Sequence, residues 1–542
     1  MRAARQAERP RLLAVAAACA LVFAILAMPA RPQDAVLAGM ARFPVELALI
    51  AGLLAALPRN SSVMPALRVI FTGLLGIAIL VKCADLGLYA SLNRPFNFAY
   101  DLPLLHAGWM LASGTSGTFA AVLYLLGGTL ALAAVIAAIW WATGVFARLS
   151  ARRTVPMLAI LLIFAAALAL TGRASTATSN LLATHVSAAR SAQEQIAALE
   201  VEARSDDVAD DRPLLRGLAG RDVFLVFVES YGRSTLENPL YAASTKSALA
   251  ELEQGAERAG MEIRSAYMTA PMVGGQSWLA HASVLSGLWI DSQGRYRAML
   301  ASSRRSLMAL ASDSGWQSVA IMPAITMAWP EGSYFGYDRI LAKDDLGYLG
   351  LPFNWVTMPD QYTLSAFERL VLDEPARLPV FAEIALISSH APWTPIPQLV
   401  DWDAIGDGTI FNDQARAGDS PETVWRDRDR VRAQFGLSID YALRTIASFV
   451  ERRSRERPAP LIVVLGDHQP ATFVSGDEEN RDVPVHFIGD RATLDSIESW
   501  SFDEGAVPGP GAPVWRMDTF RKRFIDAFDA PAQEETESDE PA

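Results

Sequence analysis

Apolar residues crowd into the first third of the chain in runs of bilayer length, while the remainder alternates short apolar runs with polar and turn-forming stretches. The long runs cover about residues 12–30, 44–57, 67–89, 119–146 and 155–171, which predicts five membrane spans. The first follows a basic segment, 1–11. Its length and the spans after it favour a retained anchor over a cleaved signal peptide. The second run is the weakest, being short and carrying Glu46. With a cytoplasmic N-terminus, five spans keep Arg59, Arg68, Arg148, Arg152 and Arg153 inside and place everything after Thr171 outside. Arg31, Arg42, Lys82 and Arg94 then fall on the outer side. Deleting the second span would strand the basic loop 148–153 outside, so the charge rule supports keeping it.

The outer loop 85–117, with Asn93-Arg94-Pro95-Phe96 and several aromatics, reads as an interfacial segment. Residues 173–213 are polar and Ala-rich, as in a helical linker. From 214 to 528 strands alternate with helices. Strands are expected at 223–228, 318–322, 380–387, 461–465 and 483–488, and helices at 246–259, 305–314 and 438–453. This alternation predicts an α/β domain with a central, mainly parallel sheet flanked by helices. Residues 529–542 read as a disordered acidic tail. The expected organisation is thus a membrane domain 1–172, a linker 173–213, a globular domain 214–528 and a tail.

Composition sharpens this picture in two places. A formal charge of −12 argues against a nucleic-acid partner, since phosphate-backbone affinity needs clustered Lys and Arg. Both cysteines, Cys19 and Cys83, lie in the apolar third, which leaves the globular part without a disulfide or a cysteine-ligated zinc.

Candidate chemistry gathers at strand ends. The run Leu461-Ile-Val-Val-Leu-Gly466 delivers Asp467 and His468, a hard oxygen donor and an imidazole. The run Val223-Phe-Leu-Val-Phe-Val228 delivers Glu229, a carboxylate that needs a partner to offset desolvation. Parallel sheets bind ligands at these carboxyl ends, so a shared metal crevice is expected. Gly274-Gly275 allows a tight turn, and the spacing after it suits a helix with Ser277 at its N-terminus, where an anion is stabilised. A serine there could attack a phosphoryl group, or could simply cap the helix. His390 follows a strand, His281 lies one helical turn past Ser277, and His486 lies in a strand; any of the three could be a core histidine. The stretches 329–338 and 358–361 suggest a pocket wall of aromatic and acidic groups.

The order strand-Glu229, Gly-Gly-x-Ser277, Ser-His390-x-Pro-Trp393, Gly-Asp467-His468 behind a membrane anchor resembles the sulfatase-like transferases of the alkaline phosphatase superfamily. It is most similar to the lipoteichoic acid synthases and phosphoglycerol transferases, with the phosphoethanolamine transferases more distant. The resemblance implies that Glu229, Ser277, Asp467 and His468 hold one divalent ion, manganese first and zinc or magnesium as alternatives, and that Ser277 is the nucleophile. It implies that His390 contacts the substrate phosphate, with Trp393, His281, His486 and Trp278 as further substrate-binding candidates. The implied partners are a phospholipid donor and an envelope glycan or glycolipid acceptor, at a bacterial cell membrane with the catalytic domain outside. A hydrolase using the same site and a non-enzymatic sensor or scaffold are the alternatives. The chain departs from the family in having Ser for the usual Thr. It also lacks the Cys-x-Pro-x-Arg signature of true sulfatases, which disfavours sulfate esters.

Overall fold

The structure is a computed structural model, and it describes all residues except 1, 37–39, 59–60, 99, 103, 106–107, 110–111, 114–116, 150–167, 169, 207, 209–212, 454–457, 477–478 and 530–542. The chain divides into two units, residues 1–90 with 94–194, and residues 91–93 with 195–542. The fifth expected span and the acidic tail lie almost wholly outside the described residues.

In the first unit the apolar runs form helices α1 (Arg2–Ala27), α2 (Val45–Ala56), α3 (Met64–Leu92) and α4 (Thr118–Ala147), and α5 (Ala177–Arg204) occupies most of the expected linker. Only α3 and α4 are long and apolar enough to cross a membrane among the described residues, which leaves the other three of the five expected spans without support there. The apolar part of α1, Leu12–Ala27, is shorter. The 12 residues of α2 rise only about 18 Å, well short of a hydrocarbon core of roughly 30 Å. Ala18, Val22 and Leu26 of α1 pack with Leu47 and Leu54 of α2 and with Ile139 and Phe146 of α4. Lys82, counted above as an outer charge, is instead buried in the helix packing. Its Nζ donates to the carbonyls of Ile25 (3.0 Å) and Leu26 (2.8 Å) and to the Thr178 hydroxyl (2.8 Å). It thereby satisfies terminal carbonyls that α1 cannot bond itself. Polar contacts also pin the loop after α3: Asp85 accepts from the Phe96 N–H (2.9 Å), and Arg94 makes two bonds to Asp101 (2.6 and 2.7 Å).

The second unit is built on a nine-stranded sheet. In chain order its strands are β1 (Val223–Val228), β2 (Glu262–Thr269), β3 (Gln317–Met322), β4 (Arg339–Ala342), β5 (Val380–Leu386), β6 (Leu461–Gly466), β7 (Asp482–Gly489), β8 (Asp503–Glu504) and β9 (Val514–Arg516). They are ordered β8-β2-β7-β6-β1-β5-β3-β4, with β9 also paired to β2. The five strands from β6 to β4 run parallel, whereas β7 is antiparallel to both β6 and β2. The sheet is therefore mixed, with its parallel block at the centre. All five expected strands are present. The missed β2, Glu-Ile-Arg-Ser-Ala-Tyr-Met-Thr, carries polar residues on a flank of the sheet and lacks the continuous apolar run that marks a central strand.

Alternate residues of β1 enter different cores, which is why that strand shows no polar face. Phe224, Val226 and Val228 pack with Leu249 and Leu252 of α6 (Ala242–Arg258) and with Phe435, Ile439 and Phe449 of α11 (Arg428–Arg453). Val223, Leu225 and Phe227 face Leu279 and Leu285 of α7 (Ser277–Ser286), and beyond them α9 (Leu307–Asp313) and α12 (Phe520–Phe528). α10 (Asp360–Phe367) joins the first of these cores through Tyr362, Leu364 and Phe367, and α8 (Gln293–Leu300) joins the second through Tyr296 and Met299. The result is a helix–sheet–helix sandwich whose parallel strands end together on one edge.

Gly466 closes β6 where the turn after β1 comes closest. A Cβ there would collide with the Tyr231 carbonyl, and it would sit 3.1 Å from Val483 Cβ. Because the obstacle is backbone, relief would have to move the turn that follows Glu229. Gly466→Ala is expected to cost about 1–3 kcal/mol and to loosen whatever Glu229 and Asp467 hold. Thermal unfolding and metal content of the purified variant measure both, and wild-type values for both would refute the close approach.

Candidate metal centre and pocket

The parallel pairing of β1 with β6 sets Val228 opposite Gly466, so Glu229 and Asp467 leave the sheet side by side. Ser230 turns the chain with φ 58°, and its N–H reaches Asp467 Oδ1 at 2.8 Å while its hydroxyl donates to Glu229 Oε1 at 2.8 Å. The His468 N–H also donates to Asp467 Oδ1 (2.6 Å). A bridge between Val273 and Gln469 brings in the third segment, where Gly274, Gly275 and Gln276 take positive φ before α7 starts at Ser277. The Ser277 hydroxyl donates to Glu229 Oε2 at 2.9 Å and lies 3.3 Å from His468 Nε2. Ligand atoms of Glu229, Asp467 and His468 all fall within 4.8 Å of one another, and the three residues are buried.

Burial opposes charge on each of these groups, and neighbours decide the outcome. Burial raises Glu229, yet the charges of His468 and His390 and the bonds from His468 and Ser230 outweigh it and hold this carboxyl low. Burial and then the Glu229 charge push Asp467 up. For His468, burial is overcome by Asp467 and Glu229, and the imidazole is pushed up to about 9. Two buried carboxylates facing one imidazole remain short of positive charge. Two carboxylates, an imidazole and a hydroxyl are the hard and borderline donors that a divalent cation takes, so these residues fit such an ion.

Glu229, Ser277 and Asp467 line a cavity of about 600 Å³. His390 and Trp278 also line it. His390 Nδ1 lies 2.6 Å from the Ala391 carbonyl, and the Trp278 indole donates to Gln293 (3.2 Å). His281 also lines it, with Nδ1 2.6 Å from Glu383. From the stretch 329–338, Trp329, Glu331, Phe335 and Tyr337 supply wall.

Three expectations are corrected. His486 is not at the pocket: it is fully buried in β7, its Nδ1 2.8 Å from the Ser265 hydroxyl and its Nε2 3.1 Å from the Tyr231 hydroxyl. Because the Ser265 hydroxyl donates to the Gly505 carbonyl (2.7 Å), it accepts from Nδ1–H, and Tyr231 donates to Nε2. Burial lowers this imidazole to about 3, so it is a neutral core histidine that props the turn behind Glu229. Trp393 is also buried, stacked on Trp425 at 5.7 Å with its indole donating to Ser389 (2.7 Å); it braces the segment bearing His390. Asp360 and Gln361, from the stretch 358–361, tie down chain instead of lining the cavity. Asp360 accepts from the N–H groups of Ile387 (2.8 Å) and Ser388 (2.9 Å), and the Gln361 amide holds Val400. Glu383 was missed, although a carboxylate inside the apolar run Val380-Phe-Ala-Glu-Ile-Ala-Leu386 is itself a signal.

No protein-family model matches the chain, and no curated protein matches it. Among solved structures it is similar to the lipoteichoic acid synthase LtaP of Listeria monocytogenes, at 13% identity over 61% of this chain and 80% of that one, with a TM-score of 0.38. It is similar to the Streptococcus pyogenes phosphoglycerol transferase GacH in complex with sn-glycerol-1-phosphate, at 14% identity over 63% and 81% with a TM-score of 0.37. It is also similar to the zinc complex of the C-terminal periplasmic domain of Escherichia coli EptC, at 13% identity over 58% and 84% with a TM-score of 0.40.

The raised His468 gives a signed expectation for cation binding. Below pH about 9 the incoming cation must displace a proton from this imidazole. Apparent affinity should therefore rise by about tenfold per pH unit between roughly 7 and 9, and level off above that. Calorimetric titration of manganese at several pH values, with proton release read from buffers of different ionisation enthalpy, measures this. Affinity independent of pH would exclude His468 as a ligand.

Proposed function

We propose that this chain is a membrane-anchored, metal-dependent phosphotransferase that moves a phospholipid headgroup onto a hydroxyl of an envelope glycan or glycolipid through a phospho-Ser277 intermediate. One observation supports the reading: Ser277, at the first position of α7, hydrogen-bonds Glu229 and approaches His468 within a buried carboxylate–imidazole group bordering a cavity. A divalent cation held by Glu229, Ser277, Asp467 and His468 would supply charge neutralisation and lower the proton affinity of the serine hydroxyl. Manganese is the ion we favour, ahead of zinc and magnesium, because three oxygen donors and one imidazole make a harder set than cysteine-rich zinc sites.

The protein's own groups account for the remainder. Glu229 Oε2 accepts the Ser277 proton and so aims an oxygen lone pair into the cavity. The positive dipole end of α7 favours anionic phosphoryl oxygens placed there. His390 lines the same cavity and can donate to those oxygens. In the first half-reaction the Ser277 Oγ–P bond forms and the bond to the lipid alcohol breaks. In the second, the acceptor oxygen bonds to phosphorus and Ser277 is released, so that one hard displacement becomes two easier ones. Apolar helices α3 and α4 favour an anchor, which would hold this site near a lipid donor and raise its effective concentration. A bacterial cell membrane, with this unit on the outer side, is the location we infer. Serine at position 277 and the absence of cysteine from residues 195–542 argue against formylglycine chemistry on sulfate esters.

The test is mass spectrometry of the full-length protein after incubation with phosphatidylglycerol or phosphatidylethanolamine vesicles. A headgroup phosphate on Ser277 and released diacylglycerol are expected. Ser277→Ala should lack the adduct and lose at least three orders of magnitude, roughly, in turnover while remaining folded. Retained activity in this variant would discard the covalent route. Headgroup released to water whether or not an acceptor is supplied would make the protein a hydrolase.

A further inference from the structure

The transfer described above leaves one buried carboxylate on the cavity wall unused. Glu383 lies in the middle of β5, opposite Leu225 of β1 and Ala320 of β3, with 1% of its surface exposed. Such a group is costly unless both oxygens are bonded, and here both are. Oε1 lies 2.6 Å from His281 Nδ1, and Oε2 accepts from the Tyr337 hydroxyl. Burial and the neighbouring Glu383 push the Tyr337 phenol well up, so it stays protonated and donates. The imidazole of His281 lies flat on the Phe227 ring, centroids 3.8 Å apart and planes at 16°. Nδ1 is thus committed to Glu383, while Nε2 has no protein partner among the described residues, and the ring lines the cavity.

We propose that His281, oriented by Glu383 and Tyr337, is the proton-transfer group for the oxygen that leaves and then enters at phosphorus. The proposal rests on covalent transfer through Ser277. A carboxylate bonded to Nδ1–H fixes the tautomer that presents Nε2 as a base, and it stabilises the imidazolium once Nε2 is protonated. Position fits this role. His281 is four residues after Ser277 on α7, so the two side chains are neighbours on one helix face, with Cβ atoms about 5–6 Å apart.

Protons balance over the cycle. In the first half-reaction the P–O bond to the lipid alcohol breaks, its oxygen takes the proton from His281 Nε2, and the Ser277 proton is lost toward Glu229. In the second the acceptor hydroxyl gives its proton to Nε2 as its oxygen bonds to phosphorus, and Ser277 recovers its own as the Oγ–P bond breaks. Glu383 and Tyr337 are positioning residues, since they act only through His281.

The experiment compares two esters on full-length, manganese-loaded protein: a phospholipid, whose alkyl alcohol must be protonated as it leaves, and a p-nitrophenyl phosphodiester, whose leaving group needs no proton. With His281→Gln, phospholipid turnover should fall by about 10²–10⁴-fold while Ser277 adduct formation from the nitrophenyl ester falls by less than about tenfold. Glu383→Gln, which keeps the carboxamide shape, should repeat the pattern at smaller amplitude. Equal losses on the two esters, undiminished phospholipid turnover, or failure of both variants to fold and hold manganese would assign the trio a structural role and overturn the proposal. Wild-type protein that forms no Ser277 adduct from either ester would instead sink the transfer reading itself.

Discussion

Strand register forces Glu229 and Asp467 out of the sheet together, and like charges less than 4.8 Å apart repel by about 3–4 kcal/mol even at an effective dielectric near 20. The surrounding structure answers that repulsion. Backbone N–H groups of Ser230 and His468 converge on one oxygen of Asp467, the Ser230 and Ser277 hydroxyls divide the two oxygens of Glu229, and the His468 imidazole stands beside both residues. Each of these donors comes from a segment that the fold must bring in separately. The turn after β1 supplies one, the residue after Asp467 another, and the Gly-Gly turn before α7 the third. A cation is the remaining way to offset the excess negative charge, and it would turn a liability of the sheet into its chemistry.

This dependence explains which parts of the site could be read from the chain. A β-branched run ending in Gly-Asp-His, and an apolar run ending in Glu, announce themselves because a charged residue at the end of a buried strand has few other reasons to be there. Ser277 was legible through Gly274 and Gly275, whose positive φ values let the helix start next to Gln469. His486 misled because an imidazole in a strand looks alike whether it faces a ligand or a Tyr–Ser pair; only the pairing of β7 with β2, which sets Ser265 opposite it, decides. Trp393 misled in the same way. In the membrane part, α2 is apolar apart from Glu46, but composition says nothing of where a helix stops.

The cavity's charge pattern bears on how an anionic substrate is held. Among the described residues its lining contains four carboxylates, Glu229, Glu331, Glu383 and Asp467, and no lysine or arginine. Attraction for phosphate cannot then come from a basic pocket, as it does where guanidinium forks grip the oxygens. In the proposed transfer it would come from a cation at the Glu229–Asp467–His468 cluster, the N–H groups at the start of α7, and the two histidines on the wall. Binding and chemistry are therefore tied to the same few groups. Under the proposed function, such a site would have little affinity for phosphate esters in general and would respond steeply to removal of a cation.

Helix α7 carries this economy furthest. Its first residue is the proposed nucleophile Ser277 and its fifth is His281, while between and beyond them Leu279, Ala280, Ala282 and Leu285 are buried against the sheet. The packing that locks the helix thus fixes the distance between the serine oxygen and the imidazole, with no loop between them to flex. Glu383 adds a second constraint from the sheet itself, because β5 is the immediate neighbour of β1, the strand that delivers Glu229. Ser277, the Glu229–Asp467–His468 cluster and the His281 imidazole are in this way referred to one rigid body, the central parallel strands. Productive geometry then depends on hydrophobic packing of the helix against those strands as much as on the polar groups themselves.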